Sequence, residues 1–213
     1  MFSITLTIVI VTAIISFTAF NNEKIKDDLL FWPAEIRSGN QWYRFITCGF
    51  VHGDLLHLAF NMLSLYSLGL VTEGDLFSSP ALFGSNGKIA YLILYLTALI
   101  ASVIPDYIYH KDNVGYRALG ASGAVSAVIF AFIILQPARR LSILFLPIPG
   151  GVPAYVYGLV FLGISIYLSR KGNDNIGHRA HISGAVYGIL FTIVAARIFA
   201  GFDVLRNFVE NVF

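Results

Sequence analysis

The sequence predicts an all-α, polytopic membrane protein: a bundle of six transmembrane helices forming a single domain over residues 1–213. Three observations point to it. The chain is 57% hydrophobic and only 12% charged, where soluble domains carry about 25% charged residues. So few polar side chains could not cover a water-facing surface, which makes the bilayer the solvent. Apolar runs of membrane-crossing length recur six times, and connections rich in Gly, Pro and charge separate them.

The first run, 3–20, has 18 residues without a charge, enough to cross a hydrocarbon core of about 30 Å at about 1.5 Å per residue. No Lys or Arg precedes it and no small-x-small site follows, so it reads as a retained span rather than a cleaved signal peptide. The connection 21–49 interleaves Trp32, Trp42, Tyr43 and Phe45 with Arg37 and Arg44, a mixture suited to the headgroup level. The second span is 51–72. The third, 89–105, follows Gly84-Ser85-Asn86-Gly87-Lys88. The fourth, 118–136, is stopped by Pro137 and Arg139-Arg140. Residues 141–169 are uncharged but cannot be one helix, because Pro147, Pro149, Gly150, Gly151 and Pro153 interrupt them. A short interfacial stretch therefore leads into a fifth span, 152–169. The sixth, 180–202, follows a polar loop, 170–179.

Other classes find little support. A formal charge of +2 without a basic run does not suggest nucleic acid. The single cysteine, Cys48, excludes an intrachain disulfide. No paired Cys or His spacing suggests a metal, and no cofactor or obligate protein partner is inferred. With a cytoplasmic amino terminus, five Lys and Arg lie on the cytoplasmic side and nine opposite. That runs against the positive-inside expectation, so charge alone does not assign the topology.

Polar groups stranded in three of these runs carry the functional signal. His57 and Asn61 are four apart, on one face of the second span. They are explained either by interhelical hydrogen bonding or by donation toward a common anion. His52, beside Asp54 at the mouth of that span, reads as water-facing. Glu73, ending the span, reads as a holder of backbone groups at the opposite interface.

Ser122, between Gly120 and Gly123, sits at a predicted helix start, where free N–H groups and partial positive charge favour a developing anion. A capping role, or a role as a small packing residue, would also explain it. Ser126, one turn on, is the rival nucleophile but lacks flanking glycines. His181 opens the sixth span, and Gly184 and Gly188 on that span would let it approach a neighbour closely. If the neighbour is the fourth span, imidazole and hydroxyl meet as a dyad. Asp106 and Asp174 are the available acids, with nothing to motivate either as a third member.

Together these motifs resemble the rhomboid intramembrane serine proteases, over about residues 41–188. The resemblance is carried by His52-x4-His57-x3-Asn61, by Gly120-x-Ser122-Gly123, and by Ala180-His181-x2-Gly184-x3-Gly188. The Tyr43-Arg44 pair and Gly69-x3-Glu73 add to it. It implies a hydrolase with Ser122 as nucleophile and His181 as base and then acid. His57, Asn61 and the Ser122 N–H would form the oxyanion hole. Phe60 matches a bulky residue at a lateral gate between the second and fifth spans, and the loop 170–179 matches a cap over the site.

The resemblance also implies a multi-pass protein, in the inner or plasma membrane if bacterial, with its site opening to the non-cytoplasmic side. Its partners would be membrane lipid and single-span protein substrates that unwind near small or helix-destabilising residues. Many members carry an aromatic residue where this chain has Ser126, so another contact has to orient His181. The alternative is a catalytically silent relative that binds client transmembrane helices. A small carrier using His57 and His181 as a proton path finds no further solute-site residue.

Overall fold

The computed structural model describes residues 3–142, 148–171 and 177–213, which are predominantly helical. Helix α1 (Ile4–Phe20) begins where Ser3 accepts from the Leu6 N–H. The Glu73 carboxylate also accepts there from the Ile4 and Thr5 N–H groups, both at 2.8 Å, and from the Ser3 hydroxyl at 2.9 Å. The first N–H groups of a helix have no partner within it, and a carboxylate at that end meets their partial positive charge.

The first connection is folded. It contains α2 (Glu23–Leu29), α3 (Pro33–Gly39), α4 (Arg44–Thr47) and a 3₁₀ turn, Cys48–Phe50. Pro33 stands in the first turn of α3, where its missing N–H costs no hydrogen bond. The buried Arg44 guanidinium donates to the carbonyls of Asp27 and Leu30 and to Gln41 Oε1, closing the segment on itself. Trp42 and Tyr43 remain half exposed, as headgroup anchors would.

Helix α5 (Leu55–Ser64) is capped by Asp54, which accepts from the His57 N–H at 2.7 Å. It continues through π-helical turns at Leu65–Gly69 and Thr72–Phe77. Then come α6 (Gly87–His110), α7 (Ser122–Leu135), α8 (Ala154–Lys171), α9 (His178–Ala200) and α10 (Val204–Val212). Strands β1 (Arg140–Leu141) and β2 (Val152–Pro153) pair antiparallel, and Arg140 donates to the carbonyls of Gly150 and Gly151. Residues 143–147 of the predicted interfacial stretch lie outside the described residues.

Helix α7 is the centre. Every residue from Gly123 to Leu135 is buried, so the helix shows no polar face and its sequence no amphipathic period. Three described stretches are long and apolar enough to cross a bilayer by length and composition: Leu55–Phe77, Gly84–His110 and His178–Ala200. Helices α1 and α7 are shorter apolar helices, and each of the six predicted runs overlaps one of α1, α5, α6, α7, α8 and α9.

The structure moves several boundaries. The second helix starts at Leu55 rather than 51, and the third passes through Pro105 to His110. The fourth starts at Ser122 rather than 118, because the preceding residues bond to the first connection instead. Phe31 and Ala118 exchange backbone hydrogen bonds, and the Gly120 N–H donates to the Cys48 carbonyl at 2.9 Å. Helix α10 was not anticipated.

Candidate active site

The site is built on the contact between α7 and α9. A Cβ added at Gly184 would collide with the Gly123 carbonyl, and one at Gly188 with the Ala127 carbonyl. Only hydrogen side chains let the two backbones come this close. A Cβ at Gly123 would in turn overlap Ser102 and stand 3.2 Å from the Ala180 carbonyl. The residue after Ser122 therefore lies against the residue before His181.

Ser122 is half-buried and is the first residue of α7. The cap position belongs to Ala121, and no side chain makes a capping bond. The capping explanation for the hydroxyl therefore does not apply. Gly120 has φ 113°, a left-handed conformation suited to glycine. It turns the chain sharply into the helix, whose first N–H groups have no helical acceptors.

The ring of His57 packs on this turn. A Cβ at Gly120 would stand 2.7 Å from its Cε1 and 2.9 Å from its Nε2. His57 Nδ1 is met by the Gly53 N–H in a long hydrogen bond of 3.5 Å. An N–H can only donate, so the ring proton sits on Nε2 and that nitrogen offers a donor beside the Ser122 turn. Asn61 is buried one turn further along α5, with Nδ2 donating to the His57 carbonyl at 2.9 Å.

His181, at the start of α9, lies beside two rings. Its centroid is 5.7 Å from Phe161 of α8, at an interplanar angle of 34°, and 5.8 Å from His178. Phe161 supplies an aromatic contact that the position of Ser126 does not; Ser126 is itself buried. Asp106 is placed against Arg179 at 4.0 Å. Asp174 lies outside the described residues, as does much of the predicted cap loop. Phe60 stands 44% exposed on α5.

One expectation is overturned. His52 does not face water: it is fully buried, with its ring 5.0 Å from that of His57. It precedes α5, and burial first, then the nearby His57, pull its pKa down to about 3 against the opposing pull of Asp54. Sequence reasoning also missed Phe161, His178, Ser102 and Ser16. Ser16 and Ser102 each stand among other hydroxyl residues of their apolar runs, which gave them no distinguishing signal. Phe161 was one aromatic among many and carried no distinguishing signal. Among the described residues, no group of three or more His, Cys, Asp or Glu could hold a metal ion.

A rhomboid domain model matches residues 39–198, about three-quarters of the chain. The chain belongs to the rhomboid family. It is 30% identical over 179 residues to RHOMBOID-like protein 12, mitochondrial, of Arabidopsis thaliana, covering 80% of this chain and 51% of the relative. It is 28% identical over 148 residues to rhomboid protease GluP of Bacillus subtilis, covering 70% and 25%. It is 29% identical over 150 residues to rhomboid protein 1, mitochondrial, of Saccharomyces cerevisiae, covering 68% and 40%. The aligned part thus spans about half or less of these relatives. The matched stretch includes Ser122, His181, His57 and Asn61 and begins after α1.

Proposed function

We propose that this rhomboid chain is a six-span intramembrane serine endopeptidase that cleaves single-span membrane proteins. The observation that most supports this is the glycine-mediated contact of α7 with α9, which sets Gly123, next to Ser122, against Ala180, next to His181. One of the relatives is itself named a protease.

In this mechanism His181 takes the proton from the Ser122 hydroxyl as its oxygen adds to a substrate carbonyl. The carbonyl oxygen becomes an oxyanion and is met by His57 Nε2–H, the Asn61 amide and the Ser122 N–H. His181 then protonates the departing amine, and water repeats the sequence on the acyl-enzyme. No acidic third member is required, because α9 and the Phe161 ring hold the imidazole.

Substrate enters laterally past Phe60, between the second and fifth spans, and unwinds. A helical segment keeps its carbonyls hydrogen-bonded and away from a nucleophile. The site opens toward the membrane face that bears the first connection, which in a bacterial cell would be the non-cytoplasmic one.

A fluorophosphonate probe tests the reading. Covalent labelling of the detergent-solubilised protein, mapped by mass spectrometry to Ser122 and lost in His181→Ala, is expected. Absence of labelling under conditions that label other serine hydrolases would instead favour a silent relative that binds client helices.

A further inference from the structure

Helix α1 lies outside the rhomboid domain match, yet it reaches the reaction centre through a buried chain of hydrogen bonds. Ser16 and His52 are both fully buried. The Ser16 hydroxyl donates to the Phe50 carbonyl at 2.9 Å, and Ser16 Oγ lies 2.9 Å from His52 Nδ1. On the far side of the ring, the Ala121 N–H donates to His52 Nε2 at 3.4 Å.

The donor directions are fixed from both ends. The Ala121 N–H can only donate, so Nε2 carries no proton. In a neutral ring the proton is then on Nδ1 and points at Ser16 Oγ. Ser16 accepts it while giving its own proton to the Phe50 carbonyl. All three bonds are satisfied in a single arrangement, with no polar atom of Ser16 or His52 left over. The arrangement requires a neutral imidazole, in keeping with the depressed pKa of the buried ring.

We infer that Ser16, acting through His52, positions the Ser122 turn: the first span fixes where the nucleophile and its N–H stand. This rests on the protease reading for its consequence, and Ser16 and His52 are positioning residues that touch no reacting atom. Gly120 lacks a side chain and would otherwise leave the turn free to move. The Gly120 N–H to Cys48 and the Ala121 N–H to His52 pin two consecutive peptides immediately before Ser122. With Ser16 replaced by alanine, the His52 Nδ1–H is buried without an acceptor. The ring then swings or changes tautomer, and either releases the Ala121 N–H.

The test uses the whole chain, in wild-type form and as Ser16→Ala, Ser16→Thr, Ser122→Ala and Thr18→Ala. The Thr18 hydroxyl, on the same helix, donates back to the Ile14 carbonyl. Two quantities are measured: backbone amide exchange over residues 118–125, and kcat and KM for a reconstituted single-span substrate. Ser16→Ala is expected to speed exchange in that segment and lower kcat, each about ten-fold, with KM within about two-fold. Ser16→Thr keeps the hydroxyl and restores both values, and Thr18→Ala changes neither.

Unchanged exchange in Ser16→Ala overturns the positioning role, whatever the activity does. Faster exchange with unchanged kcat overturns its service to the reaction. Wild-type cleavage no higher than that of Ser122→Ala overturns the protease reading, and with it the functional consequence, while the exchange data still report on the hydrogen-bond chain.

Discussion

Gly184 of α9 stands so close to Gly123 of α7 that any Cβ at 184 would overlap the Gly123 carbonyl. That partner is backbone in a buried helix and cannot rotate away. Gly184→Val is therefore expected to cost about 3 kcal/mol, the upper end of overpacking, and to abolish Ser122 labelling. Gly163→Ala is the control, since that position opens on free space. It should be neutral or stabilise by about 0.5–1 kcal/mol. Reversible unfolding in detergent measures both, and a Gly184→Val protein of wild-type stability would contradict the packing.

Phe161 is the aromatic neighbour of His181. Ring pairs of this kind contribute about 0.5–1.5 kcal/mol. Phe161→Leu should then lower kcat about two- to ten-fold through a less ordered imidazole, while Phe161→Tyr keeps the ring and the rate. Steady-state cleavage of a single-span substrate decides between them. Equal losses in both variants would point to a packing defect instead.

Glu73 accepts three hydrogen bonds at the start of α1, the opposite end of that helix from Ser16. Bonds to a charged group are worth about 1.5–3 kcal/mol. Glu73→Gln is expected to lower stability by about 2 kcal/mol and to leave KM unchanged. A large rise in KM with normal stability would assign Glu73 to substrate binding.

Cys48 is buried at the end of the first connection, its Sγ 3.7 Å from the Phe45 carbonyl, and burial pushes its thiol up to about 12. At pH 8 only about one thiol in ten thousand is then thiolate, the reactive form. Maleimide labelling of the folded protein should be negligible over the time in which the SDS-denatured protein labels fully. Rapid labelling in mild detergent would show the connection to be open.

Much of this architecture was legible because a bilayer restricts the possible solutions. Six apolar runs predicted helices, and each overlaps one; three described stretches are long and apolar enough to cross a bilayer. The glycine spacing at 184 and 188 predicted a close approach of the sixth helix, and the side that Gly123 and Ala127 present to it is where that approach occurs. The start of the fourth helix was misjudged because an apolar run does not reveal that residues 118–121 bond to a distant connection. His52 was misread because an imidazole beside Asp54 in sequence looks solvated. Its partners, Ser16 and the Ala121 N–H, are tens of residues away and were invisible from local pattern. Phe161 could not be singled out because nothing in an aromatic-rich span marks which ring meets the histidine.

The central claim is that the Ser122 hydroxyl is the nucleophile, and one comparison tests it most directly. Wild type and Ser122→Ala are reconstituted in proteoliposomes with the same single-span substrate, and cleavage is followed by mass spectrometry. Removing one oxygen leaves the backbone of α7 and its contact with α9 untouched. Cleavage within or beside the membrane segment by wild type, falling at least 10³-fold in Ser122→Ala, is the predicted result. Cleavage by Ser122→Ala at the wild-type rate would contradict it.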